Sequence, residues 1–111
     1  MQDVASGTQT ATINTEHTLA TITDAGIYVL LVDKHLMQAG DTTQFRRKTK
    51  VLTGGTSRVV VMDSFSDAPS ADAMIYQSEP PLSLRFSGSF TLKQTAGTGR
   101  DYDWRIERID L

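Results

Sequence analysis

The chain has 111 residues, enough for one domain with a modest core, and carries eleven basic and thirteen acidic side chains for a net charge of −2. That balance excludes a dedicated nucleic-acid binder, which needs a clear excess of Lys and Arg. The absence of cysteine excludes a disulfide framework, a thiolate metal site and a cysteine nucleophile. A folded domain of this size exposes roughly 6,000 Å².

Residues 1–7 contain neither a basic nor an apolar stretch, so no secretory signal is expected. The longest apolar run, Ile27 to Val32, is far short of the roughly 20 residues that a membrane helix needs. No membrane association is expected. Fifteen threonines, seven of them in the first 23 residues, favour extended structure, because β-branched side chains suit a pleated surface. Residues 1–15 are expected as an extended N-terminal arm of one or two strands, and residues 16–111 as a single domain.

Asp24-Ala25-Gly26 predicts a turn, and Ile27 to Val32, apolar on both faces, a central strand. Asp33 is placed to cap a helical turn over Lys34–Ala39, stopped by Gly40. From Thr43 to Val51 the residues alternate: Thr43, Phe45, Arg47, Thr49 and Val51 share one face, and Gln44, Arg46, Lys48 and Lys50 the other. Thr53-Gly54-Gly55-Thr56 predicts the hairpin turn into a return strand, Ser57 to Ser66, with Val59, Val61 and Phe65 on one side. Ser66 to Asp72 has loop composition; Met74-Ile75-Tyr76 predicts a short edge strand ended by Pro80-Pro81. Alternation from Leu82 to Lys93 predicts one long strand with a bend or bulge at Gly88. After a turn at Thr95–Arg100, a final strand points Tyr102, Trp104 and Ile106 inward and Asp101, Asp103, Arg105 and Glu107 to water. Six to eight strands with almost no helix indicate an all-β, antiparallel, jelly-roll-like β-sandwich.

No catalytic, cofactor or metal residues are assigned. The carboxylates fall mainly at turns, where Asp serves the local backbone. His17 and His35 lack metal-ligand spacing, and Gly97-Thr98-Gly99-Arg100 should join two strands, with no helix N-terminus to receive a phosphate. Asp101, Asp103, Tyr102 and Trp104 are the imaginable site of a carbohydrate-binding module. The feature that singles itself out is charge placement. Arg46, Arg47, Lys48, Lys50 and Arg58 put five of the eleven basic residues on one hairpin. Basic residues near a sheet edge discourage aggregation, or dock an acidic partner surface. Arg47 has inward parity, so it requires either a carboxylate partner in its own fold or a second chain on that face.

Thr8–Leu19 and Thr91–Arg100, with Gly26–Asp33 and Lys48–Val51 between them, resemble small structural proteins of tailed-bacteriophage virions. The resemblance implies a capsid cement or decoration protein on the virion surface, made in the host cytoplasm. Its implied partners are the major capsid protein and copies of itself, as a dimer or trimer. A head–tail connector, a tail or fibre component, and a carbohydrate-binding β-module are the competing readings. The family supplies no set of functional residues to carry over.

Overall fold

Alternating apolar and polar residues, interrupted by Gly, Pro and Asp at regular intervals, become nine strands in a computed structural model that describes residues 2–110. They are β1 (Gln2–Thr10), β2 (Glu16–Ile22), β3 (Gly26–Asp33), β4 (Thr42–Thr49), β5 (Arg58–Ser66), β6 (Ile75–Gln77), β7 (Leu82–Leu84), β8 (Gly88–Ala96) and β9 (Asp101–Arg108). One sheet has the order β1-β9-β3-β6, with β7 also paired to β3; the other has the order β2-β8-β4-β5. Every ladder is antiparallel. The fold is an all-β sandwich.

The ladders follow one rule. β1 pairs with β9, β2 with β8, β3 with β6 and β7, and β4 with β5, so the chain is a long antiparallel ribbon with its apex at residues 50–57. Winding this ribbon across two layers adds the remaining pairs, β9 to β3 and β8 to β4. Tyr28, Leu30, Val32, Phe45, Phe90, Leu92, Tyr102 and Ile106 meet between the layers. Phe45 stacks on Tyr76 with ring centroids 4.6 Å apart and meets Tyr102 nearly edge-on. The accessible surface is 6066 Å². Among the described residues, no helix is long and apolar enough to cross a membrane.

Several expectations are corrected. Lys34–Ala39 forms no helical turn; Asp33 does receive the His35 amide at 2.9 Å, but two β-type turns follow, closed by Met37 to Lys34 and Asp41 to Gln38. Burial of Met37 in the core and the Lys34 amide bond to Met74 hold the segment as a loop too short to propagate a helix. The expected long strand from Leu82 is two strands in different sheets, β7 and β8. The chain crosses between layers at Ser87–Gly88, where a Cβ on Gly88 would overlap Leu84 and the Lys48 carbonyl. Alternation persists across the crossing because both pieces turn their apolar residues to the same core. β4 ends at Thr49, so Val51 projects into solvent. A β-bulge at Val60 turns Val59 outward beside Lys48, while Val61, Asp63 and Phe65 stay inward.

The segment expected as an arm contains β1, which lies along β9 of its own chain from Gln2–Arg108 to Thr10–Asp101. Its threonines are used locally: Thr8 and Thr10 each donate to a carboxylate across the ladder, Asp103 and Asp101, at 2.6 Å. Met1 and Leu111, the outer bounds of the expected arm and domain, lie outside the described residues.

Candidate protein-docking site

The five basic residues of the hairpin do not form one patch. Pleating puts Arg46 and Lys48 on the outer face of their sheet and Arg47 on the inner face, 2% exposed. Arg47 finds partners within the chain: its terminal nitrogens donate to the Pro80 carbonyl and to the Glu79 carbonyl at 3.0 Å and lie 3.4 Å from the Asp63 carboxylate, while its Nε is buried without a hydrogen-bond partner. Of the two alternatives its parity posed, the internal partner is the one present. Arg47 joins the loop after β6 to the core.

On the outer face, Lys48 pairs with Glu16 at 2.6 Å, and Thr91 donates to the same carboxylate at 2.7 Å. Partial burial pushes Glu16 upward, but bonds from Lys48 and Thr91, with Arg46 nearby, outweigh it and hold the carboxyl below its ordinary range. Arg46 donates to Gln44 at 2.7 Å, and its second terminal nitrogen is buried without a hydrogen-bond partner. Lys50 lies just past β4, and Arg58 opens β5 opposite Thr49. Thus Arg46, Lys48, Lys50 and Arg58 follow the hairpin from sheet face to apex, with Glu16 offsetting part of the charge.

The sequence reading missed the apolar component of this surface. Val51 and Leu52, at the ribbon apex, are 87% and 70% exposed; Val59, Val60 and Met62 on β5 are 49%, 52% and 43% exposed. β5 is the edge strand of its sheet, and Met74 and Ile75 are exposed on the neighbouring edge of the other sheet. The available signal was the unalternated run Val59-Val60-Val61-Met62, which an ordinary half-buried strand does not show. Contiguous exposed apolar side chains rimmed by charge are the usual mark of a protein-contact surface.

Of the residues considered for a sugar site, Asp103 and Trp104 border one surface depression, and Asp101 and Tyr102 do not join them there. Tyr102 is fully buried, bonded to Thr43 at 2.6 Å and to Gln94 at 3.2 Å. Trp104 is half-buried on the inner face beneath Gly7, whereas Asp101 and Asp103 are on the opposite face, bonded to threonines of β1. Leu31, Ile75, Asp103, Trp104 and Arg105 line this depression, of about 430 Å³. A second depression beside β5 brings together Lys34, Asp63, Phe65 and Tyr76. Tyr76 donates to Asp63, and Lys34 lies 3.8 Å from the Phe65 ring centroid, its pKa lowered by burial. Among the described residues, no three His, Cys, Asp or Glu side chains are grouped to hold a metal. Comparison with protein-family models, curated proteins and solved structures gave no significant match.

Proposed function

We propose that this chain is a structural virion protein, a cement or decoration protein that binds the assembled phage capsid and stabilises it through many repeated contacts. Its partners in this reading are the major capsid protein and copies of itself, and it needs no cofactor. The observation that carries the proposal is the exposed apolar and basic surface of the β4–β5 hairpin, at the apex and open edge of the sandwich. Such a surface suits contact with a broad protein lattice, where weak contacts repeated over many copies give avidity. The wound antiparallel ribbon supports reading the sandwich as a jelly roll, a fold built from two Greek keys. β1, an edge strand exposed over most of its length, supports a role for the N-terminal segment in adding a strand to a neighbour's sheet.

Co-sedimentation with phage heads purified without this protein tests the reading. Saturable binding in high copy number supports it; binding in a few copies per particle indicates a connector instead, and absence of binding rejects it. Reversing Arg46, Lys48 and Lys50 to Glu should weaken binding at least tenfold, and added salt should weaken wild-type binding, since exposed charges are screened within about 8 Å at physiological ionic strength. Binding by the triple variant that is undiminished and insensitive to salt would remove the electrostatic part of the proposal.

A further inference from the structure

The β5 edge carries a self-complementary sequence. Arg58-Val59-Val60-Val61-Met62-Asp63 reads as a cation, four apolar residues and an anion. If two copies of this strand meet antiparallel about a two-fold axis between Val60 and Val61, Arg58 lies across from Asp63 at both ends. Val59 then lies across from Met62, and the remaining valines meet at the centre. In a regular strand this register fails. Residues paired across a two-fold must project from the same face, and positions 58 and 63 differ in parity. The bulge removes the obstacle. Because Lys48 pairs with Val59 and Arg47 with Val61, Val60 is an extra residue, and the pleat is reset across it. Arg58, opposite Thr49, and Asp63, opposite Phe45, therefore share the inner face, while Val59 and Met62, opposite Lys48 and Arg46, share the outer face.

The groups this register needs are accessible. Arg58, Val59, Val60 and Met62 are exposed, and the Asp63 side chain retains 32% exposure despite its bonds from Arg47 and Tyr76. β5 itself contains neither Lys nor Pro, residues that commonly block edge pairing. Other two-fold registers lose the match: centring the axis on Val60 sets Arg58 against Met62, and centring it on Val61 sets Val59 against Asp63.

We propose that a second copy of this chain is the occupant of the β5 edge, joined antiparallel across Val60–Val61 by reciprocal Arg58–Asp63 pairs and Val59–Met62 contacts. The two four-stranded sheets become one eight-stranded sheet, which presents two basic outer faces side by side. This supplies the self-association in the functional reading above and does not depend on the capsid. A six-residue edge covers less than the roughly 800 Å² per partner of a standard stable interface, so dissociation in the micromolar range is expected.

Sedimentation velocity across a concentration series tests the association on the full chain. Wild type should pass from monomer to dimer, and Arg58→Glu, which sets like charges opposite each other twice, should raise the dissociation constant at least tenfold. Cysteine cross-linking tests the register in a chain that has no other thiol. A mixture of Val59→Cys and Met62→Cys chains should form a disulfide-linked heterodimer on mild oxidation, because only opposite positions come within the roughly 7 Å a disulfide spans. Either variant alone should cross-link far more slowly. A wild-type chain that stays monomeric at several hundred micromolar overturns the proposal. So does a trimer, or cross-linking equally fast in single-variant samples. A monomer that still binds phage heads refutes this interface alone, and a dimer indifferent to heads refutes the capsid reading alone.

Discussion

Replacing Gln94 by leucine should destabilise the fold far more than removal of a single hydrogen bond. The Gln94 side chain is fully buried yet works at both ends. Its amide nitrogen donates to the carbonyls of Ala96 at 3.0 Å and Thr98 at 2.7 Å. Its oxygen accepts from the Arg100 amide at 3.1 Å and the Tyr102 hydroxyl at 3.2 Å. Leucine fills nearly the same volume, so cavity formation contributes little, and Tyr102 keeps its bond to Thr43. The Ala96 and Thr98 carbonyls and the Arg100 amide lose these partners. A buried polar group left unpaired costs about 1–3 kcal/mol. Because Thr98 is exposed at the turn, water replaces part of the loss. A net cost of about 2–4 kcal/mol follows, a large share of the roughly 5–15 kcal/mol that holds a domain together. Urea unfolding followed by the fluorescence of Trp104, the only tryptophan, measures it. The midpoint should fall by about 1–2 M with little change in slope. Gln94→Glu separates packing from bonding: the carboxylate keeps the shape and accepts from Arg100 and Tyr102, but donates to neither carbonyl. It should be at least as damaging at neutral pH. A loss below about 1 kcal/mol for the leucine variant would refute the claim that this side chain organises the β8–β9 turn.

Two further predictions concern the same end of the sandwich. Gly97 has φ +88° and its missing Cβ position is occupied by Asp41, so Gly97→Ala combines backbone strain with a clash and should lower the thermal midpoint by at least 10 °C in a melting curve. Burial pushes the Asp41 carboxyl upward, but Arg100 at 2.8 Å and the Gln38 and Thr98 amides outweigh it and hold the pKa below 3.8. The folded carboxyl being the stronger acid, its contribution is full above the unfolded value and is lost as pH falls through the folded one. Thermal midpoints between pH 6 and pH 2.5 should fall steeply below pH 4 in wild type, and less steeply in Asp41→Asn, which starts from a lower midpoint.

How far the sequence discloses this fold depends on the range of the physics involved. Strand identity was legible because alternation is local: Thr43, Phe45 and Arg47 face the core as their parity requires, and so do Tyr102 and Ile106. Where two effects produce the same local pattern, the sequence was ambiguous. Leu82, Leu84, Phe90 and Leu92 continue one period whether they lie on one strand or on two strands facing a shared core. Helix capping chemistry at Asp33 was equally real and equally insufficient, since the capped turn had Met37 to bury and only six residues in which to do it.

The candidate site was legible in charge and illegible in shape for a related reason. Five basic residues on a hairpin are visible as a cluster in one dimension, but the pleat divides them. Arg47 leaves the surface to bind the Glu79 and Pro80 carbonyls, partners more than thirty residues away that no local pattern announces. Its removal from the patch concentrates the interaction potential on residues that looked ordinary in sequence: Val51 and Leu52 past the end of β4, and Val59 and Met62 turned outward around one extra residue. The bulge therefore does more than interrupt a ladder. By resetting the pleat it converts a valine run that would otherwise be half core into an exposed apolar edge, and it aligns Arg58 with Asp63 on a single face. Deleting Val60 should restore a regular ladder that keeps Val59 opposite Lys48 on the outer face and Arg58 opposite Thr49 on the inner face. The Arg58–Asp63 and Val59–Met62 matches survive in that shortened edge, now centred on Val61, so the folded deletion variant should still dimerise, and a folded variant that is monomeric would refute the register.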